Sequence, residues 1–138
     1  MPEWLGLQYK LFLLLAMLFC HIVDDYYLQG ILAKMKQKKW WEDNADDYIY
    51  RNDYKIALAE HAFSWAFVTS IPIVAFYFIC GKTETLWLVI CFIIFNTTLH
   101  AYIDNLKANR KTINLIQDQT AHILQIVLMW IWCCLYAL

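Results

Sequence analysis

Four histidines stand in this chain of 138 residues, one in each of its four long apolar stretches: His21, His61, His100 and His122. Three of them have an aspartate one helical turn away, in the pairs His21 with Asp25, His100 with Asp104, and Asp118 with His122. Residues four apart stack on one face of a helix, so each pair projects in a common direction. Imidazole and carboxylate together are the ligands of zinc, manganese or iron, and facing helices of a bundle commonly assemble such sites. A divalent metal held this way activates water and polarises a phosphoryl or acyl oxygen. His21, Asp25, His100, Asp104 and His122 are the candidate metal ligands, and His61 and Asp118 the candidates for general base or catalytic group.

The elements that must carry these residues are membrane helices. The chain is 62% hydrophobic and only 17% charged, against about 45–50% and about 25% for soluble domains. The apolar residues come in blocks that reach the roughly 20 residues a spanning helix needs. The reading is an all-α, single-domain bundle of four transmembrane helices at about 8–30, 55–80, 85–106 and 113–137, with a loop over about 31–54. A soluble four-helix bundle would need polar outer faces, which the second and fourth helices lack. The first apolar run follows no basic region and precedes no small-x-small cleavage site, so it reads as a retained helix.

Charge gives the orientation. Lys34, Lys36, Lys38, Lys39, Arg51, Lys55, Lys107, Arg110 and Lys111 flank one side, and only Lys10 and Lys82 the other. The expectation is a bacterial inner (cytoplasmic) membrane protein with both termini outside and these loops inside. At about 1.5 Å per residue, His21 then lies roughly 18 Å from the outer face and His100 roughly 21 Å, while His61 and Asp118 lie about 10 Å from the cytoplasmic face. All these groups converge on one half of the bilayer. Gln29 continues the Asp25 face, Gln119 and Gln125 flank the Asp118–His122 pair, Ser64 shares the His61 face, and Asn96 the His100 face. Lysines beside Trp40 and Trp41 suit a segment lying on the headgroups, although a solvated linker fits equally well. The five cysteines have no CxxC spacing and read as buried small hydrophobes.

Other chemistries share these residues. Interhelical His–Asp hydrogen bonds can simply fasten helices, each contributing about 0.6–2 kcal/mol in lipid. Chains of Asp and His also serve proton or cation pathways, which gives a small channel or transporter subunit as the alternative. Against a full pore, the polar stripes fade in the outer half of every helix.

The segments His21-Ile-Val-Asp-Asp25-Tyr-Tyr-Leu-Gln29, Glu60-His61-Ala62, His100-Ala-Tyr-Ile-Asp104-Asn-Leu-Lys107 and Asp118-Gln119-Thr-Ala-His122 resemble the bacterial and phage membrane proteins catalogued as domain of unknown function 3307. The pattern of that family is H-x3-D-x-x-L-Q, a lone His, H-x3-D-x-x-K and D-Q-x-x-H. The resemblance covers nearly the whole chain. It favours Asp25 over Asp24 and adds Gln29, Gln119 and Lys107 as groups that contact substrate or support the ligands. A more distant likeness is to membrane-bound metal-dependent hydrolases. The first resemblance supplies no activity; the second adds to the metal chemistry of the His and Asp residues. The reading is a metal-dependent hydrolase of a phospho- or lipid-type substrate, with membrane lipids as partners and, from the small size and aromatic-rich exterior, a homo-oligomer in view. No nucleic-acid partner is expected.

Overall fold

The computed structural model describes residues 3–45 and 47–136. It is an all-α bundle built on four long helices. Helix α1 spans Glu3–Val23 and runs into one wide π-helical turn, Asp24–Leu28. Two short helices follow, α2 (Leu32–Met35) and α3 (Lys38–Asn44), then a 3-10 turn over Tyr48–Asn52. Helix α4 is Asp53–Ile79, α5 is Leu86–Asn105 with a second π-helical turn at Leu106–Arg110, and α6 is Leu115–Tyr136.

Four segments are long and apolar enough to cross a membrane: Gly6–Leu28, Tyr48–Ile79, Thr83–Arg110 and Leu115–Leu135. Their outward faces carry Phe12, Leu15, Phe19, Phe67, Phe78, Ile90, Ile94 and Leu128, all exposed. Water would disfavour that surface, and lipid tails accept it. The chain is a membrane protein of four spanning helices. The outermost terminal residues, 1–2 and 137–138, which the charge rule assigns to the outside, lie beyond the described residues.

The connections are set by local chemistry. At the end of α4, Gly81 takes φ 68°, and the amide of Lys82 donates to the Tyr77 carbonyl while that of Gly81 donates to Phe78. This is a Schellman closure, which needs the left-handed residue that glycine supplies without strain. Helix α6 starts on a reciprocal capping box: the Gln117 amide donates to Asn114 Oδ1, and the Asn114 amide donates to Gln117 Oε1, both at 2.9 Å. The box fixes the rotation of α6 immediately before Asp118. Pro72 sits inside α4 without breaking it. Just ahead of it, the Thr69 and Ser70 hydroxyls donate to carbonyls of their own helix, Trp65 and Ala66.

The bundle has two unlike halves. Towards the 80–85 connection the core is apolar, with Leu13, Met17, Ala66, Ile73, Tyr77, Val89, Ile126, Met129 and Cys133 buried together. In the same half, Trp130 of α6 donates to the Lys10 carbonyl of α1 at 2.7 Å. The other half, under the α2–α3 segment, buries the polar residues. Helices α4 and α5 form the most extensive pair, and α1 packs beside α4.

Because lipid tails are as apolar as leucine, burial against another helix gains packing rather than hydrophobic transfer. Ile126→Ala, at a fully buried position, is therefore expected to cost near the lower end of the about 2–5 kcal/mol seen for such core truncations. Leu128→Ala on the lipid face is expected to be close to neutral. Denaturant titration in mixed micelles compares the two.

Candidate metal centre

The seven candidate His and Asp residues come from the end of α1 and the π-helical turn after it (His21, Asp25), the third turn of α4 (His61), the end of α5 (His100, Asp104) and the first turns of α6 (Asp118, His122), and all are buried. Antiparallel topology brings the ends of two helices and the beginnings of two others to one level. Asp104 lies at the middle. Its Oδ2 is 3.2 Å from His61 Nε2 and its Oδ1 3.3 Å from His122 Nε2. Beyond His61 stands Asp25, with Oδ1 at 3.4 Å from the same Nε2. Beyond His122 stands Asp118, with Oδ1 at 3.5 Å. Carboxylate and imidazole thus alternate in one row: Asp25, His61, Asp104, His122, Asp118. His100 closes over it, its Nε2 3.2 Å from His61 Nε2 and 3.8 Å from Asp104 Oδ1.

These separations are those of ligands around an ion. Two ligands of a tetrahedral metal with bonds of about 2.0–2.1 Å lie roughly 3.3 Å apart. Asp25, His61 and His100 form one group able to hold a metal ion, and His100, Asp104 and His122 a second. The orientation of His122 suits ligation. Its Nδ1 lies 3.3 Å from Gln125 Oε1, an acceptor, and its Nε2 faces Asp104 Oδ1 at 3.3 Å, a gap that a proton or a cation can fill. Gln125 Nε2 is held in turn by Asn96 Oδ1 at 3.2 Å. His61 Nδ1 and His100 Nδ1 have no hydrogen-bond partner, so packing rather than hydrogen bonding sets the backs of these two rings. For His100 that packing is Trp65 at 4.3 Å and His122 at 3.9 Å between ring centres.

His21 stands apart from both groups. Trp65 Nε1 donates to its Nδ1 at 2.8 Å, which leaves the proton on Nε2, 3.1 Å from Gln119 Oε1. Both ring nitrogens are consumed. Gln119 passes the bond on, its Nε2 donating to Asp25 Oδ2 at 2.8 Å and Asp118 Oδ2 at 3.2 Å. Trp65, His21 and Gln119 therefore position two carboxylates rather than present a lone pair. Gln29 also lies outside the row, its side-chain amide bonding the Asp25 carbonyl and bracing the π turn. That wide turn buries two successive carboxylates. Asp24 accepts from Ser64 Oγ at 2.6 Å, while Asp25 joins the row.

Two ammonium groups reach the carboxylates. Lys107 Nζ is 2.5 Å from Asp118 Oδ2, and Lys36 Nζ is 2.6 Å from Asp104 Oδ2. Lys107 is among the residues that the D-x-x-K pattern suggests. Lys36 is not legible from the sequence, where it reads as one of several orientation-setting lysines. Asn109 brings it in: its Nδ2 donates to the Lys36 carbonyl at 3.1 Å and its Oδ1 accepts the Lys38 amide at 2.7 Å. Trp41 Nε1 donates to the Met35 carbonyl at 2.7 Å from the other side. Trp65 likewise gave no signal beyond being a tryptophan in a helix. Isolated charges are expensive inside a span, and here each ammonium sits directly on a carboxylate.

Trp65→Phe keeps the ring packing and deletes the donor to His21. A buried acceptor left unpaired costs about 1–3 kcal/mol, so this variant is expected to lower the thermal unfolding temperature in detergent while preserving helicity. No change in that temperature would show that the Trp65–His21 bond contributes nothing.

No family model matches the chain, and no curated protein or solved structure matches it either.

Proposed function

We propose that this chain is a metal-dependent hydrolase of a phospho- or lipid-type substrate, working at the polar end of its membrane bundle. The observation that carries the reading is the buried Asp–His–Asp–His–Asp row with its spacing of 3.2–3.5 Å. Fastening four helices needs one or two such pairs, not a continuous row centred on one carboxylate. Charge supports the same view. With the imidazoles neutral, Asp25, Asp104 and Asp118 outnumber the ammonium groups of Lys36 and Lys107 by one, an excess that a divalent cation offsets.

In this reading His61, His100 and His122, with Asp104 and the outer carboxylates, would hold zinc, manganese or iron. A bound ion would supply an activated water and a Lewis acid for the ester oxygen. Asp118 Oδ1, free of hydrogen bonds and 3.5 Å from His122 Nε2, would be one of those outer carboxylates. Lys107, about one-third exposed, is the anion-binding group. Access from the bilayer is supported by a groove of about 630 Å³ between α1 and α6, walled by Leu18, Ile22, Tyr26, Tyr27 and Ile123. His21 and Gln119 form its polar floor, and Gln119 touches both Asp25 and Asp118. An amphiphile seated there brings its headgroup to the carboxylates without leaving the membrane. The basic residues around this end favour the cytoplasmic leaflet.

The channel reading fares worse. The polar network stops where Gln125 meets Asn96 and Asn96 meets Met129 Sδ. Beyond it the described core is apolar apart from Thr69 and Ser70, whose hydroxyls are spent on carbonyls of their own helix.

Protein purified in mild detergent without chelators is expected to contain zinc, manganese or iron by elemental analysis, and Asp104→Ala to lose it. It should release phosphate from a short-chain phosphatidic acid, with loss of that activity in Asp118→Ala. A wild-type protein that neither carries nor takes up a divalent metal would sink the proposal. Gln125→Leu, which removes the partner orienting His122, is expected to weaken metal affinity about 10–100-fold. Lys36→Met is expected to tighten it by about 10–100-fold, since a charge-assisted bond of about 1.5–3 kcal/mol no longer competes for Asp104. Calorimetric titration with Mn²⁺ reads both.

A further inference from the structure

We infer that the centre holds two divalent cations, with the Asp104 carboxylate bridging them. This rests on the metal-binding reading above and extends it from one ion to a pair. The two oxygens of Asp104 face different histidines, Oδ2 towards His61 and Oδ1 towards His122, at 3.2 and 3.3 Å. Each side then ends in a carboxylate of its own, Asp25 Oδ1 at 3.4 Å and Asp118 Oδ1 at 3.5 Å. The row is therefore nearly symmetric about Asp104, with one ligand set on each side. His100 supplies its single inward nitrogen to the His61 side, which it approaches more closely. Paired ions in hydrolytic sites lie about 3.5–4 Å apart, the span that one carboxylate bridges through its two oxygens.

A single ion fills only half of this arrangement. With an ion on the Asp25–His61 side, His122 Nε2 still faces two carboxylate oxygens, at 3.3 and 3.5 Å. One of these, Asp118 Oδ1, belongs to a fully buried residue and accepts no hydrogen bond. The other oxygen of Asp118 is engaged by Lys107 and Gln119. Those two donors thus hold the carboxylate with its empty oxygen turned to His122. That gap is shaped for a cation.

The pair also narrows the substrate. One divalent ion brings three carboxylates and two ammoniums to a small positive charge, and a second makes the centre strongly positive. Only an anion can offset that within a membrane span, which selects phosphate esters over neutral acyl esters.

Mn²⁺ is the probe. Chelator-stripped, full-length protein in detergent is titrated with Mn²⁺, the bound metal is counted per chain, and its paramagnetic resonance spectrum is recorded. The expected wild-type result is two Mn²⁺ per chain with the broadened spectrum of a spin-coupled pair. Asp118→Asn and His122→Gln are expected to bind one Mn²⁺ each and to show the six-line spectrum of an isolated ion. One Mn²⁺ per wild-type chain, with the isolated-ion spectrum, overturns the pair and leaves the single-metal hydrolase standing, a proton on His122 then filling the second place. No bound Mn²⁺, and no other divalent metal, overturns both. If either variant fails to fold, the wild-type count and spectrum decide alone.

Discussion

A carboxylate sunk inside a membrane span has to be matched, and Asp104 is the group around which this protein is matched. Burial of an ion in low dielectric is costly unless other charges and donors meet it directly. Lys36 and three imidazoles do so from three other parts of the chain: the α2–α3 segment, α4 and α6, with His100 from its own helix. None of these elements could shift by a turn without leaving a charge stranded. The register of the polar half is thus fixed by electrostatics, where lipid-like packing alone discriminates weakly between alternatives. The apolar half has no comparable restraint and relies on interlocking side chains such as Met17, Trp65 and Ile126.

Much of this is visible in the amino-acid sequence, because the two periodicities involved are local. Twenty-residue apolar blocks mark spans whatever their neighbours are, and an i, i+4 His–Asp spacing marks a shared face whatever that face meets. The charge asymmetry of the loops then puts all four histidines at one level, which is where the structure brings them together. What local pattern cannot carry is the pairing across helices. His21 and His100 have the same H-x3-D context, yet Trp65 donates to His21 Nδ1 and leaves its other nitrogen to Gln119, whereas His100 keeps Nε2 turned to His61 and Asp104. That difference is decided by a residue on another helix, 44 positions away from His21. Lys36 is a stronger case, since its partner lies 68 positions away and its delivery depends on Asn109 and Trp41. Asp24 and Asp25 separate for a subtler reason. Only a π-helical turn buries both, and nothing in Asp-Asp-Tyr-Tyr-Leu announces one.

The two π-helical turns are related features. Each follows a long helix where it reaches the polar half, and each contributes charged groups to the centre, Asp25 from one and Lys107 from the other. Such wide turns lose ideal backbone geometry and are frequent at functional sites. The second ends at Lys111 in the left-handed conformation, φ 55°, which turns the chain sharply back into α6.

Lys36 belongs to the segment lying outside the spans, but its ammonium is inside, only 12% exposed. The surface segment and the buried centre therefore share one cation. Any positive charge that binds Asp104 competes with the loop, and any anionic headgroup that draws Lys36 outward leaves Asp104 more receptive. By linkage the two effects are equal in size. Any affinity of the interior for a cation would in this way be tied to the charge around the surface segment, through the single side chain of Lys36.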